Sequence, residues 1–325
     1  MRNIRWGIIG CGDVTELKSG PAFNKVEGSK LQMVMRRDLQ LVQDYAQRHN
    51  VPEWTGNAEA LINNDKVDAV YVATPPGNHA EFAIKAMKAG KPVYVEKPMA
   101  ATYEQCLDMI KVSEETGVPL FVAYYRRTLP GFLKVKELID GGEIGKPLYV
   151  NIRLTRPALD SEVKGGDSLW RLDKEKAGGG IFFDLASHQL DFLDYLFGPV
   201  VEATGLTANR GGYYAVEDTV SASFRFENGV LGNGLWSFVT NNHVDEDRME
   251  IVGSEGKIVF SGFNHQPIMM YKNGEEFEFP YLNPENIQYN LIKQVVEQLQ
   301  GMGECVSTGI SAARTNKIME MITGK

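Results

Sequence analysis

Residues 4 to 9 form a short apolar run that ends on Gly10-Cys11-Gly12, followed by Asp13, Val14 and Thr15. A strand, a tight glycine turn and a helix start in that order leave few folds open to the rest of the chain. In this geometry backbone N–H groups and the positive end of a helix receive a pyrophosphate. Beyond the turn, strand patterns at 31–35, 67–73, 93–95 and 120–123 alternate with helix patterns at 81–88 and 103–114. Such alternation predicts an α/β, Rossmann-type domain, a doubly wound parallel sheet that binds ligands outside the carboxyl ends of its strands.

The loops at those strand ends hold the candidate cofactor residues. Gly10 and Gly12, with Asp13 and Val14 at the helix start, form the phosphate turn, although Thr15 stands where the fingerprint prefers a third small residue. The second strand ends at Arg36-Arg37-Asp38. An arginine here holds a 2′-phosphate and an acid holds a ribose 2′-OH, so NADP(H) is favoured and Asp38 keeps NAD(H) open. Two further loops carry Thr74-Pro75-Pro76 with His79, and Glu96-Lys97-Pro98, whose prolines stop the strand and stiffen the backbone. Lys97 is a candidate proton-transfer group, because a partly desolvated lysine shifts its pKa readily.

The pattern changes after Ala123, which places a boundary between a dinucleotide domain of residues 1–123 and a substrate and oligomerisation domain of 124–325. Strand patterns at 148–155, 201–207, 219–226, 230–238 and 248–252 predict an α+β domain with a large, mostly antiparallel open sheet. Asn228-Gly229 and Asn273-Gly274 read as type I′ hairpin turns. One sheet face is expected to cover a helix, and the other to meet solvent or a second subunit in a homo-oligomer, most simply a dimer. Helix patterns return at 286–299 and 311–322.

Gly178-Gly179-Gly180 runs into a segment whose apolar residues Phe182, Leu185, Leu190 and Leu193 recur at helical spacing. Asp184 and His188 are four apart, so a helix stacks them on one face as a carboxylate and imidazole suited to proton transfer. An ordinary i,i+4 hydrogen bond is the competing reading. Trp170 and Arg171 precede the glycines, and Tyr125 and Arg126 lie just past the boundary; with Asp184 and His188 these are the candidate substrate contacts. An aromatic face beside guanidinium and carboxylate groups binds polyols, and equally packs a core.

A net charge of −8 argues against nucleic acid and anionic membrane as partners, leaving a small molecule. Three cysteines without metal-ligand spacing fit free thiols in a reducing compartment and predict no metal site. Residues 3 to 10 read as a strand rather than a leader, and no apolar run reaches bilayer length, so a cytoplasmic location is expected.

Taken together, the glycine turn, Thr74-Pro75-Pro76 with His79, Gly90-Lys91 before Glu96-Lys97-Pro98, and the glycine triplet with Asp184, His188 and Asp191 resemble the glucose-fructose oxidoreductase, inositol dehydrogenase and MocA (Gfo/Idh/MocA) family. The resemblance spans essentially the whole chain. It implies a nicotinamide-dependent oxidoreductase acting on a sugar or polyol carbon, with Lys97, Asp184 and His188 in the site. Two alternatives stay open, a glycosidase that retains its nicotinamide and a non-catalytic cofactor-binding regulator.

Overall fold

The computed structural model describes residues 3–164 and 167–325. They form two compact units, one running to Tyr125 and including Pro284–Ala313, the other comprising Arg126–Asn283 and Arg314–Lys325. The sequence pattern places 124–325 in one domain, whereas the chain returns 284–313 to the first unit.

In the first unit, strands β1 (Ile4–Ile9), β2 (Ser29–Met35), β3 (Glu53–Thr55), β4 (Ala69–Val72), β5 (Val93–Val95) and β6 (Leu120–Val122) pair in parallel in the order β3-β2-β1-β4-β5-β6. Strand order reverses between β1 and β4, the place where such sheets bind ligands. There the turn after β1 touches the loop after β4. A Cβ on Gly10 would lie 2.8 Å from Thr74 Cγ2, and its φ of +92° is one that side chains disfavour, so both constraints require glycine.

Both faces of this sheet are covered, and Trp6, Val70, Tyr71, Val93 and Tyr94 are fully buried. Aromatic rings fill one side: Trp6 lies 4.9 Å from Phe23, Phe23 lies 5.3 Å from Tyr71, and Tyr71 stacks on Tyr94 at 5.0 Å between centroids. The returning segment covers the last strand. Val122 N donates to Ser307 O at 3.2 Å, and Ser307 Oγ donates to Val122 O at 2.7 Å. A strand edge that would otherwise offer unpaired backbone groups is thereby met.

The second unit carries β7 (Pro147–Thr155), β8 (Val200–Ala208), β9 (Thr219–Phe226), β10 (Leu231–Ser237), β11 (Glu246–Gly253), β12 (Gly256–Phe260), β13 (Ile268–Lys272) and β14 (Glu275–Phe279). Their order is β14-β13-β12-β11-β7-β10-β9-β8, antiparallel among the described residues apart from the β10 and β7 pair. On β9 the buried Val220, Ala222, Phe224 and Phe226 alternate with exposed Ser221, Ser223 and Arg225. The buried face receives the helix Gly180–Phe197: Phe182 meets Trp236 at 5.1 Å, and Trp236 Nε1 donates to Gln189 Oε1 at 2.8 Å. Leu235 pairs with Ser221 and so belongs to the opposite face.

The two Asn-Gly turns differ. Asn273 and Gly274 both have positive φ, 55° and 80°, and Lys272 pairs with Glu275, as a type I′ turn requires. At the other turn only Gly229 is left-handed, and Gly229 N donates to Phe226 O while Phe226 N donates to Val230 O, both at 2.9 Å. This corrects the type I′ expectation to a three-residue loop. Asn228 keeps a negative φ and accepts from Val230 N at 3.1 Å, so the glycine alone takes the left-handed position.

The far end of the helix Gly180–Phe197 is held by buried charge. Arg127 grips Asp191 through two hydrogen bonds of 2.8 and 2.7 Å, and Arg314 grips Asp194 at 2.8 and 2.6 Å. Arg127, Asp191 and Asp194 are all buried. Removing Arg127 would strand Asp191, so Arg127→Leu is expected to lower folding stability by about 3–5 kcal/mol at neutral pH. Burial already pushes the Asp191 carboxyl up to about 6 against the pull of Arg127. Without the guanidinium it moves further up, and the folded state then holds a proton that the unfolded chain releases. The deficit should therefore shrink as pH falls from about 8 toward about 5, which urea unfolding midpoints across that range measure. A deficit independent of pH would contradict the assignment.

Candidate active site

The first unit gathers its candidate residues at the carboxyl ends of β1, β2, β4 and β5. Gly12 is open space: a Cβ there would meet nothing nearer than 4.0 Å, which leaves the backbone approachable by a ligand. Thr15, in the third fingerprint position, is fully buried, and its hydroxyl donates to Gly12 O at 2.7 Å. The hydroxyl thus closes the turn, which is how the larger residue is accommodated. Thr74 Oγ1 is buried beside Gly10 with no hydrogen-bond partner. An approachable glycine backbone at the reversal of strand order, with a buried hydroxyl next to it, suits a dinucleotide. Asp13 is exposed and Val14 half-buried at the start of the helix Asp13–Leu17.

After β2, Arg36 is half-buried and Arg37 exposed. Asp38 caps the helix Leu39–Arg48, its Oδ1 accepting from Gln40 N at 2.9 Å and Leu41 N at 3.0 Å. Pro75 is half-buried in the loop after β4. His79 is fully buried, with Nδ1 3.0 Å from Pro98 O and Nε2 2.6 Å from Thr74 O. Burial pushes its pKa down. The ring thus braces the Thr74 loop against the Glu96-Lys97-Pro98 loop.

Glu96 is buried behind Lys97, and donors surround it. Tyr71 OH and Gln288 Nε2 donate to Oε1 at 2.5 and 2.6 Å, and Lys97 N donates to Oε2 at 3.1 Å. Gln288 is itself fully buried, accepting from Tyr94 OH at 2.8 Å. Burial and the Glu96 charge push the Tyr71 hydroxyl pKa well up, so it remains a donor. Lys97, half-buried, is therefore mounted on a backbone whose neighbouring carboxylate is fixed on both oxygens. Sequence reasoning missed Gln288, since nothing local marks a glutamine nearly two hundred positions away as a partner of Glu96.

In the second unit the glycine triplet does open a helix. Gly180 has φ +76°, and a Cβ there would lie 2.7 Å from Val216, so the first helical residue must be glycine. Asp184 and His188 then fall one turn apart on the helix, Asp184 partly exposed and His188 only 4% exposed. Arg171 Nε donates to Asp184 Oδ2 at 3.1 Å, and its guanidinium lies 4.4 Å above the Trp170 ring. The cation thus joins two predicted site residues, holding the carboxylate on one side and the indole on the other. Tyr125 is buried and closes the first stretch of the first unit. Arg126, which opens the second unit, is 4% exposed and donates from Nε to Gly262 O at 2.9 Å. One of its nitrogens is thus engaged by the loop after β12. Among the described residues no group of acidic, histidine or cysteine side chains could hold a metal ion, and no helix is long and apolar enough to cross a membrane.

Residues 4–124 match the oxidoreductase family, NAD-binding Rossmann fold, and residues 132–259 match the GFO/IDH/MocA C-terminal domain. A relative named Oxidoreductase P35, from Formosa agariphila, is 39% identical over 99% of this chain and 98% of its own length. The chain belongs to the Gfo/Idh/MocA family. As a member it is a nicotinamide-dependent oxidoreductase, and its first sheet has the Rossmann strand order of that family's NAD-binding fold. A 1,5-anhydro-D-fructose reductase from Ensifer adhaerens is 28% identical over 98% of this chain and 99% of its own. Among solved structures, a levoglucosan dehydrogenase in complex with NADH superposes with a TM-score of 0.89, covering 99% of this chain and 96% of that one at 21% identity, a likeness of fold.

Proposed function

We propose that this oxidoreductase moves a hydride between a nicotinamide and a carbinol or carbonyl carbon of a sugar or polyol. The observation that supports the reading in a family member is, within the first unit, Lys97 next to an anchored Glu96 and, within the second, Asp184 and His188 one helical turn apart, residue types suited to proton transfer. A regulator that only bound cofactor would have no use for them. The reductase from Ensifer adhaerens, related along the whole chain, supports a sugar-like substrate.

Gly10, Gly12, Asp13, Val14, Thr74, Pro75 and Glu96 would hold the dinucleotide, with Lys97 beside its nicotinamide end, where it adds little to affinity, and His79 bracing two of their loops. When bound, the nicotinamide supplies or accepts the hydride. His188 serves as the acid/base for the proton on the reacting oxygen, Asp184 orients it, and Lys97 is the polarising cation. Trp170 and Arg171 are contacts for the substrate, Arg171 also fixing Asp184. NADP(H) is the favoured cofactor. Asp38 engages one oxygen in capping a helix, while Arg37 is exposed and available to a 2′-phosphate. Cys11, Cys106 and Cys305 are buried and form no disulfide among the described residues, which suits a reducing, cytoplasmic location.

A homodimer through the open face of the eight-stranded sheet completes the reading. Leu206, Leu231 and Tyr149 are exposed, and pairing puts Leu231 beside Tyr149 and both Leu206 and Leu235 beside Ser221 on that face.

Turnover assays on a sugar and polyol panel with both cofactors test the activity. Lys97→Ala and His188→Ala should each lose about 10²–10⁴ in kcat with cofactor affinity nearly unchanged, and Asp184→Asn less. Near wild-type turnover in His188→Ala would overturn the assignment. Fluorescence titration should give tighter NADPH than NADH, with Arg37→Ala losing about tenfold in NADPH affinity. Tighter NADH would reverse that preference. Light scattering at micromolar concentration should return twice the chain mass, and a monomer would exclude the dimer.

A further inference from the structure

The loop between β12 and β13 is built with more care than a simple connection needs. Asp247 binds three successive backbone N–H groups in it: Gly262 N donates to Oδ1 at 2.8 Å, and Phe263 N and Asn264 N donate to Oδ2 at 2.6 and 2.8 Å. Arg126 holds the same turn from its carbonyl side, Nε donating to Gly262 O at 2.9 Å. A carboxylate that accepts three N–H bonds and a guanidinium that donates to the intervening carbonyl fix the peptide planes on either side of Phe263.

What this frame presents is the Phe263 ring. The Arg126 guanidinium carbon lies 4.4 Å from the ring centroid, within cation–π range. The His188 imidazole lies 6.0 Å from it, at 77° between planes, an edge-to-face arrangement. The turn has no slack toward the helix, since a Cβ on Gly262 would sit 3.2 Å from both Asp247 Oδ1 and Gln189 Nε2, and Gln189 is the residue after His188. All of these residues belong to the second unit.

We propose that Phe263 is a positioning residue for His188, held against the imidazole by the clamp of Asp247 and Arg126. The inference rests on the reading of His188 as the acid/base. An aromatic edge contact restricts the rotation of the imidazole about its side-chain bonds by packing, not by a hydrogen bond to a ring nitrogen. Arg126, a substrate candidate by sequence, also holds the loop. Asp247, marked by no motif, becomes part of the apparatus because its carboxylate is the acceptor for the loop backbone.

The test uses the full chain without cofactor, then with it. His188 imidazole resonances are assigned by their loss in His188→Gln and followed in Phe263→Leu, Phe263→Tyr and Asp247→Asn. Leucine keeps bulk but has no ring current, so Phe263→Leu should shift the His188 carbon-bound protons and lower kcat about tenfold at unchanged KM and cofactor affinity. Phe263→Tyr should restore both to near wild type, and Asp247→Asn should move them in the direction of Phe263→Leu. Unshifted His188 resonances in Phe263→Leu, or shifted resonances with unchanged kcat, would overturn the positioning role. Should His188→Gln itself turn over normally, the acid/base reading fails; should His188→Gln lose turnover while Phe263→Leu keeps it, only the positioning role fails.

Discussion

Glu96 is a carboxylate withdrawn from water, and an ionised carboxylate tolerates that only when donors replace the lost solvent. Tyr71, Gln288 and the backbone of Lys97 replace it, and in doing so they join the ends of β4 and β5 to the returning segment. The second unit answers the same demand with Arg127 on Asp191 and Arg314 on Asp194. In each unit, then, the segment that bears reactive side chains is fixed by satisfying buried negative charge. Such pairs contribute little net stability against an apolar replacement, but breaking one partner is expensive, and this makes the local geometry hard to alter.

Much of this was legible in the chain. Strands such as Val93–Val95 and Thr219–Phe226 have the bounds their residues suggest, because apolar runs and strict alternation are local signals. The glycine turn, the Glu96-Lys97 loop and the helix bearing Asp184 and His188 were legible for the same reason. Three-residue β3 was not, since Glu53-Trp54-Thr55 has no pattern and forms by pairing with β2. The Asn228-Gly229 turn shows the limit of dipeptide rules: the same two residues serve a three-residue loop when the asparagine side chain bonds the backbone ahead of it.

Long-range partners account for the remainder. Gln288, Asp247 and Phe263 carry no motif, and each acquires meaning only from the residue that folding places beside it. The reverse also occurs. His79, Arg126 and Asp38 have the chemistry of binding residues, yet both nitrogens of His79, Nε of Arg126 and one oxygen of Asp38 engage backbone carbonyls or the N–H groups of a helix start. A residue type identifies what a side chain is able to do, and the backbone groups within reach determine how much of that ability is left for a ligand.

The return of Pro284–Ala313 to the first unit has a consequence for synthesis on the ribosome. Although the first six strands emerge early, Glu96 lacks Gln288 and β6 lacks the backbone of Ser307 until all eight strands of the second unit have been translated. The nucleotide-type sheet must therefore wait, with one edge open and one acid short of a donor, while the second unit is made. Completion of the first unit thus depends on residues that follow the second unit's strands in the chain.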